Sequence, residues 1–402
     1  MKATKTVNLG IAGLGQAAAS MLPDITAHPS VRLVAAADVR PEARERFAAE
    51  FDGEVYERVE DLCASPTVDA VYVATPHQFH APHAIAAASQ GKHVLLEKPM
   101  ALTLEDCDAM ISAADANGVH LLVGRGSHGF DAGALAIRQM IASGEYGALR
   151  MVNTWHYGDF MYRPRTPEEL DTKLGGGVIF NQGPHQIDLV RVLAGGIARS
   201  VRAMTGVYDP ARRSEGAFSA YMELEGDVAA TIVYSGYDRF DTDEFHWWIG
   251  TYGAEKNPEH HGSTRRALRE LTRNGAEDEA AVKASFGYGG TRKREGVESP
   301  RAPAHHVHWG VTVASCERAD IRQSADGILI YGEEGKREIP VPHPAAIRGG
   351  VIDEFYQAIV RDEPPLRDGR WEKGTLEVCL AILDSAREHR EITLTHQVPF
   401  RG

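Results

Sequence analysis

Two short stretches combine residue types and spacing suited to nucleotide and proton chemistry. Gly13-Leu14-Gly15-Gln16-Ala17-Ala18 is a GxGxxA pattern that follows an apolar run, Val7 to Ala12. Gly13 permits a tight turn, Gly15 lets a pyrophosphate approach the backbone, and Ala18 keeps the following helix close to its sheet. Gln16 opens that helix, whose N-terminus faces the phosphates. Asp38 ends the second apolar run, twenty residues past Ala18, where an acid would hold ribose hydroxyls. It would repel a 2′-phosphate, so the expected cofactor is NAD rather than NADP. The second stretch is "HVLLEKPM", residues 93–100. A charged Lys98 at the end of a core strand is costly to desolvate, so a ligand is expected there. Pro99 fixes the backbone after Lys98 and keeps the ammonium in place.

The elements that must position these groups alternate through the first 125 residues. "VNLGIA", "VRLVAAAD", "DAVYVATP", "HVLLE" and "VHLLVG" read as buried strands. Between them lie helical patterns such as "PEARERFAAEF", with Pro41 in its first turn, and "HAPHAIAAASQG", closed by Gly91. Strands alternating with helices across short loops imply a parallel, doubly wound sheet. Ligands bind at the carboxyl ends of such strands. "ATPHQFH" and "EKP" therefore place Thr75, Pro76, His80, Glu97 and Lys98 toward the nicotinamide half of the cofactor.

Residues 1–125 form the expected dinucleotide-binding domain and 126–402 a substrate-binding and oligomerisation α/β domain. The second half carries alternating strand patterns, among them "RMVNTWHYGDF", "FSAYMELEGDVAATIVYSGY", "DEFHWWIG", "HVHWGVTVASCE" and "ADIRQSADGILIYG". "GGVIDEFYQAIVRD" and "LEVCLAILDSAREH" read as amphipathic helices packing back toward the first domain. Residues 252–304, rich in Gly, Pro and charge, interrupt two strands and read as a lid, an oligomer arm or a mobile loop. Within them "STRRALRELTRNG" reads as a short helix capped by Ser263.

Composition bounds the partners. Apolar residues make up 43% and charged residues 25%, as in soluble globular proteins. Lys and Arg total 43 against 56 Asp and Glu, a formal net charge of -13, which argues against nucleic acid or a membrane surface. Cys63, Cys107, Cys316 and Cys379 have no metal or redox spacing and read as reduced thiols of a cytoplasmic protein. No apolar signal segment precedes the first strand.

Four motifs in order, GxGxxA at 13–18, "TPHQFH" at 75–80, "EKP" at 97–99 and "GGGVIFNQGPHQID" at 175–188, resemble the Gfo/Idh/MocA family. The likeness covers most of the chain. It implies a Rossmann domain followed by an α/β domain whose open, mainly antiparallel sheet is often an oligomer surface. It also implies that Lys98 lies beside nicotinamide and substrate, and that His185 is the acid/base. The plain alternative for His185 is a structural histidine on the helix "PHQIDLVRVLAGG". Many members carry Asp four residues before this histidine, whereas this chain has Asn181, which hydrogen-bonds but cannot titrate. That leaves Lys98 and His185 as the proton-handling pair.

Three further features bear on substrate. Arg163 and Arg165 lie just before the glycine triplet, with Tyr157, Phe160 and Tyr162 upstream. Guanidinium groups grip carboxylates and aromatic rings line a planar substrate; equally, the arginines pair with Glu168 and Glu169 on a surface loop. His305, His306 and His308 invite a metal, but no suitably spaced carboxylate or cysteine accompanies them, so no metal is expected. The wording "YRPRTPEELD…GGGVIFNQGPHQIDLVRVLAGG" resembles the phthalate 4,5-cis-dihydrodiol dehydrogenase branch. The expectation is an NAD-dependent dehydrogenase of a carboxylated cyclic cis-dihydrodiol, giving a catechol, in a homo-oligomer. The alternatives are a sugar or inositol dehydrogenase, a redox-neutral NAD-using glycoside hydrolase, and a non-catalytic NAD sensor.

Overall fold

The computed structural model of the chain describes residues 5–124, 132–273, 278–292, 303–343 and 349–402. Apolar residues with β-branched and alanine-rich runs form six parallel strands: β1 (Val7–Ala12), β2 (Val31–Ala37), β3 (Glu54–Tyr56), β4 (Ala70–Val73), β5 (His93–Glu97) and β6 (Leu121–Gly124). Their order is β3-β2-β1-β4-β5-β6, the doubly wound arrangement in which the chain reverses direction beside β1. Leu9, Ile11, Val71, Val73, Leu95 and Leu96 are buried, as a sheet covered on both faces requires. The three-residue β3 and the helix Val59–Ala64 after it add to the alternation expected from sequence.

Chain contacts define two compact units. One takes residues 1–126, 281–299 and 348–373; the other takes 127–280, 300–347 and 374–402. The expected boundary at 125/126 falls outside the described residues. The later pieces depart from a linear 126–402 domain, and apolar burial explains one of them. The helix Gly349–Arg361 buries Val351, Ile352 and Phe355, and Val351 lies against Gly124 at the end of β6. Tyr356 donates from its hydroxyl to the Lys5 carbonyl at 2.9 Å and packs its ring on His28.

The second unit is built on nine strands: β7 (Leu149–Tyr157), β8 (Ala198–Gly206), β9 (Ala217–Leu224), β10 (Val228–Ser235), β11 (Val311–Cys316), β12 (Ala319–Gln323), β13 (Gly327–Gly332), β14 (Gly335–Pro340) and β15 (Ile392–Thr393). The order is β14-β13-β12-β11-β7-β10-β9-β8-β15, with only β7 and β10 parallel. Helices Ala132–Ser143 and Gly183–Ala194 pack on one face. On the opposite face, register aligns Met151, Trp155, Tyr221 and Met204 among small or polar residues, and each of the four is more than 40% exposed. Gly226 and Asp227, both at positive φ, close the tight turn between β9 and β10.

"DEFHWWIG" is not a strand. Asp241 accepts a hydrogen bond from the Asp243 backbone N–H at 3.0 Å and starts a 3₁₀ turn, Thr242–His246. Lys256 then bridges both carboxylates, and Trp247 and Trp248 follow at φ 55° and 57°. A local side-chain cap has overridden the β preference of the aromatics. Ser263 is the first residue of the helix Ser263–Arg273. All four cysteines are free thiols; Cys63, Cys107 and Cys379 are buried and Cys316 is partly exposed. Burial pushes the Cys63 thiol up to about 12 and raises Cys107 further.

Candidate active site

In the first unit the glycine loop leaves β1 with Gly13 at φ +90°, where a β-carbon would stand 2.9 Å from the Ala74 carbonyl oxygen. Glycine is therefore required by both conformation and space. At Gly15 a β-carbon would meet nothing within 4 Å, so the backbone face there is open to a ligand. Gly15 is also the N-cap of the helix Gln16–Ala27 and offers no side-chain cap to its first N–H groups. Ala18 is fully buried against the sheet. A pyrophosphate fits this arrangement.

Asp38 follows β2 and is already engaged. One carboxylate oxygen accepts from the Leu14 N–H at 2.7 Å; the other accepts from the Arg40 N–H at 2.9 Å and from its guanidinium at 3.0 Å. The second amino group of Arg40 donates to the Leu14 carbonyl at 2.8 Å. The acid thus holds the glycine loop and its own arginine, whose second amino group also reaches the Leu14-bonded oxygen at 3.3 Å, so ribose hydroxyls would share these oxygens with Arg40.

The carboxyl ends of β4 and β5 are knitted together. His80 is fully buried, and its two ring nitrogens lie 2.9 Å from the Thr75 carbonyl and 2.8 Å from the Pro99 carbonyl. The His80 ring has no exposed surface and spans the two loops expected to face the nicotinamide. Burial outweighs the two carbonyls, which favour protonation, and pushes its pKa down to about 4. Thr75 pairs its hydroxyl with His83 at 3.0 Å. Pro76 precedes a short 3₁₀ turn, His77–Phe79. Glu97 accepts from the Tyr72 hydroxyl at 2.6 Å and from the Lys98 N–H at 3.3 Å, which fixes the backbone that carries Lys98. The Lys98–Pro99 peptide is cis.

In the second unit the glycine triplet makes the bend that leads to His185. Gly175 and Gly177 have φ of 82° and 77°. The Asn181 side chain is buried and donates to the carbonyls of Gly175 at 3.0 Å and Gly177 at 2.9 Å. These two bonds tie the side chain to the glycine bend. A carboxylate here would set an acceptor against two acceptors, so the amide suits the bend. His185, one turn into the helix Gly183–Ala194, is almost buried with its ring 4.3 Å from that of Trp309. Trp309 stacks on His156 at 4.7 Å, and His156 on Tyr234 at 5.1 Å. Four rings form one ladder with His185 at its end. Nothing in the local sequence marks Trp309 or His156; only the register of β7, β10 and β11 brings them together.

The two arginines differ. Arg163 is closed by Asp159 at 2.6 Å, not by Glu168, and Asp159 also accepts from the Thr264 hydroxyl. Arg165 lies 3.7 Å above the Phe160 ring, donates to the Phe160 carbonyl at 2.9 Å, and reaches Glu169 only at 3.4 Å. Its Nε has no hydrogen-bond partner among the described residues. Burial holds its pKa below the ordinary arginine range, since Glu169 compensates only part of the charge. Tyr157 packs edge-on against Phe240. His305, His306 and His308 turn to separate partners: Asp326, the Val341 carbonyl and the Ile249 carbonyl. No group of three or more His, Cys, Asp or Glu side chains among the described residues could hold a metal ion.

A doubly wound parallel sheet with an open glycine loop and an acid after β2 is the arrangement of a dinucleotide-binding domain. Residues 7–125 match the model of an oxidoreductase family with an NAD-binding Rossmann fold, and residues 134–254 match the GFO/IDH/MocA C-terminal domain. The chain belongs to the Gfo/Idh/MocA family, and it is a dehydrogenase. It is 42% identical to 1-carboxy-3-chloro-3,4-dihydroxycyclohexa-1,5-diene dehydrogenase of Comamonas testosteroni, over 95% of both chains. It is 31% identical to 2,7-anhydro-N-acetylneuraminate hydratase of Mediterraneibacter gnavus, over 97% of each. A crystal structure from Bordetella bronchiseptica RB50 superposes with a TM-score of 0.88 at 43% identity, covering 96% of this chain and 100% of that one.

Proposed function

We propose that the enzyme oxidises a ring-dihydroxylated cyclohexadiene bearing a carboxylate, with NAD, to a catechol. The observation that carries this reading is Arg165: a part-buried guanidinium on an aromatic face, incompletely neutralised, with an unused donor. Such a group is suited to a carboxylate on a planar ring. The similarity to a dehydrogenase named for a carboxylated dihydroxycyclohexadiene supports the same class.

Gly13, Gly15, Gln16, Ala18 and Asp38 would hold the dinucleotide, with Thr75, Pro76 and Glu97 shaping the loops toward its nicotinamide end. Bound NAD supplies the acceptor for the hydride from the carbinol carbon. Lys98 donates a hydrogen bond to the reacting hydroxyl and stabilises the developing alkoxide. His185 takes the proton. The resulting ketone enolises to the catechol, and aromatisation draws the reaction forward. Tyr157 and Arg163 complete the substrate loop, Arg163 through its pair with Asp159. The cytoplasm is the compartment we assign. The exposed face bearing Met151, Trp155, Tyr221 and Met204 is the surface we assign to a homo-oligomer. No helix among the described residues is long and apolar enough to cross a membrane.

The test is to assay four substrates by NADH absorbance: phthalate 4,5-cis-dihydrodiol as first choice, the 3-chloro monocarboxylate diol, a diol without carboxylate, and inositol. The carboxylated diols should give the highest kcat/KM. Arg165→Met should raise KM about 10–100-fold, the loss of one or two charge-assisted hydrogen bonds, with a smaller fall in kcat. Highest kcat/KM for inositol would make the chain a polyol dehydrogenase. Turnover of an anhydro sugar with no net NADH would favour the redox-neutral reading.

A further inference from the structure

The described part of the 252–304 interruption includes an ordered turn. After the helix Glu279–Ala284 the chain turns at "SFGYGG", residues 285–290, and the turn is closed by an Arg292 N–H to Ser285 carbonyl bond at 3.0 Å. Within the first unit this turn docks beside the glycine loop. The Tyr288 N–H donates to the Leu14 carbonyl at 3.2 Å, the same oxygen that receives Arg40. A β-carbon on Gly287 would lie 3.5 Å from the Arg40 guanidinium, so the turn backs directly onto that side chain. Tyr288 is the anchor. It is buried, its hydroxyl donates to Glu50 at 2.7 Å, and Arg46 lies over its ring at 5.4 Å.

The consequence concerns the cation nearest the ribose acid. Arg40 is folded onto Asp38 and the Leu14 carbonyl, with Gly287 behind it. An arginine two residues past the ribose-binding acid is well placed to grip a 2′-phosphate, but only by leaving this arrangement. We infer that the 285–290 turn, held by Tyr288, is a cofactor-selecting clamp: it keeps Arg40 bound to Asp38 and so denies a 2′-phosphate its counterion. The inference rests on the glycine loop being the dinucleotide site.

Calorimetric titration of the full chain with NAD, NADP and their reduced forms tests it without reference to turnover. Tyr288→Ala should tighten NADP about tenfold, the scale of one charge-assisted hydrogen bond, while NAD changes by less than about threefold. Glu50→Gln, which loosens the anchor from the helix side and leaves the tyrosine in place, should shift NADP the same way by a smaller factor. Arg40→Ala added to Tyr288→Ala should abolish the gain. An unchanged NADP affinity in both single variants, or equal weakening of both dinucleotides, overturns the clamp. So does a gain that persists without Arg40. Failure of the unmodified protein to bind either dinucleotide overturns the site itself.

Discussion

His80 in the first unit and His185 in the second are both nearly or fully buried, yet they are held in opposite ways. His80 has both nitrogens against backbone carbonyls, so its polarity is consumed in joining two loops. His185 is held by the face of Trp309, and that face is held by His156 and Tyr234. Aromatic contact of this kind restricts a ring through its face. His80 fastens two backbone segments, whereas the face of His185 packs on an aromatic ladder. In the same ladder, the Nδ1 of His156 has no hydrogen-bond partner among the described residues.

The strongest way to break this contrast is to remove the two residues proposed to handle the proton. His185→Ala and Lys98→Met should each slow hydride transfer by about 10²–10⁴-fold while NAD still binds and the fold persists. Single-turnover absorbance with an unfolding scan separates the two effects. Near-normal transfer in both variants would return His185 to a structural role.

His80 should behave inversely. Its folded pKa, about 4, lies below the ordinary 6.5. The unfolded chain therefore binds a proton that the fold excludes, and stability present above pH 6.5 is lost as pH falls toward 4. The loss should approach about 3 kcal/mol. His80→Gln should flatten that slope in pH-dependent denaturant unfolding and lower stability at pH 7, with NAD affinity altered less than stability. An unchanged slope would mean that burial of this ring is not linked to protonation.

The smallest effect is expected at the ladder. Trp309→Leu should cut kcat about 2–10-fold, the value of one aromatic stack, and leave cofactor affinity unchanged. A shift in the acid limb of the kcat profile would accompany it if the stack also sets the ring's orientation. Loss of NAD binding instead would separate Trp309 from the proton transfer proposed for His185.

Much of this was legible from residue order alone, for stated reasons. The strand–glycine–helix–strand–acid sequence at 7–38 is local, so its spacing carries its geometry. The glycine triplet and His185 were legible likewise. Three things were not. β3 is too short to show a period. The aromatic run at 245–248 reads as a strand until Asp241 is seen capping the turn before it. The contacts of Trp309 with His185 and of Tyr288 with Leu14 join residues more than a hundred positions apart, and no local pattern encodes them. Asn181 was visible as a departure from the family, but its purpose appeared only with the two carbonyls it binds.

The four thiols acquire a meaning from the proposed product. Catechols oxidise in air to ortho-quinones, electrophiles that add to thiolates far faster than to thiols. Cys63 and Cys107 are kept protonated by burial, and Cys379 is enclosed beside Gly183 in the helix that carries His185. Only Cys316 reaches solvent, and its thiol too is raised above its ordinary range. An enzyme bathed in its own quinone-forming product would thus offer that poison almost nothing to alkylate.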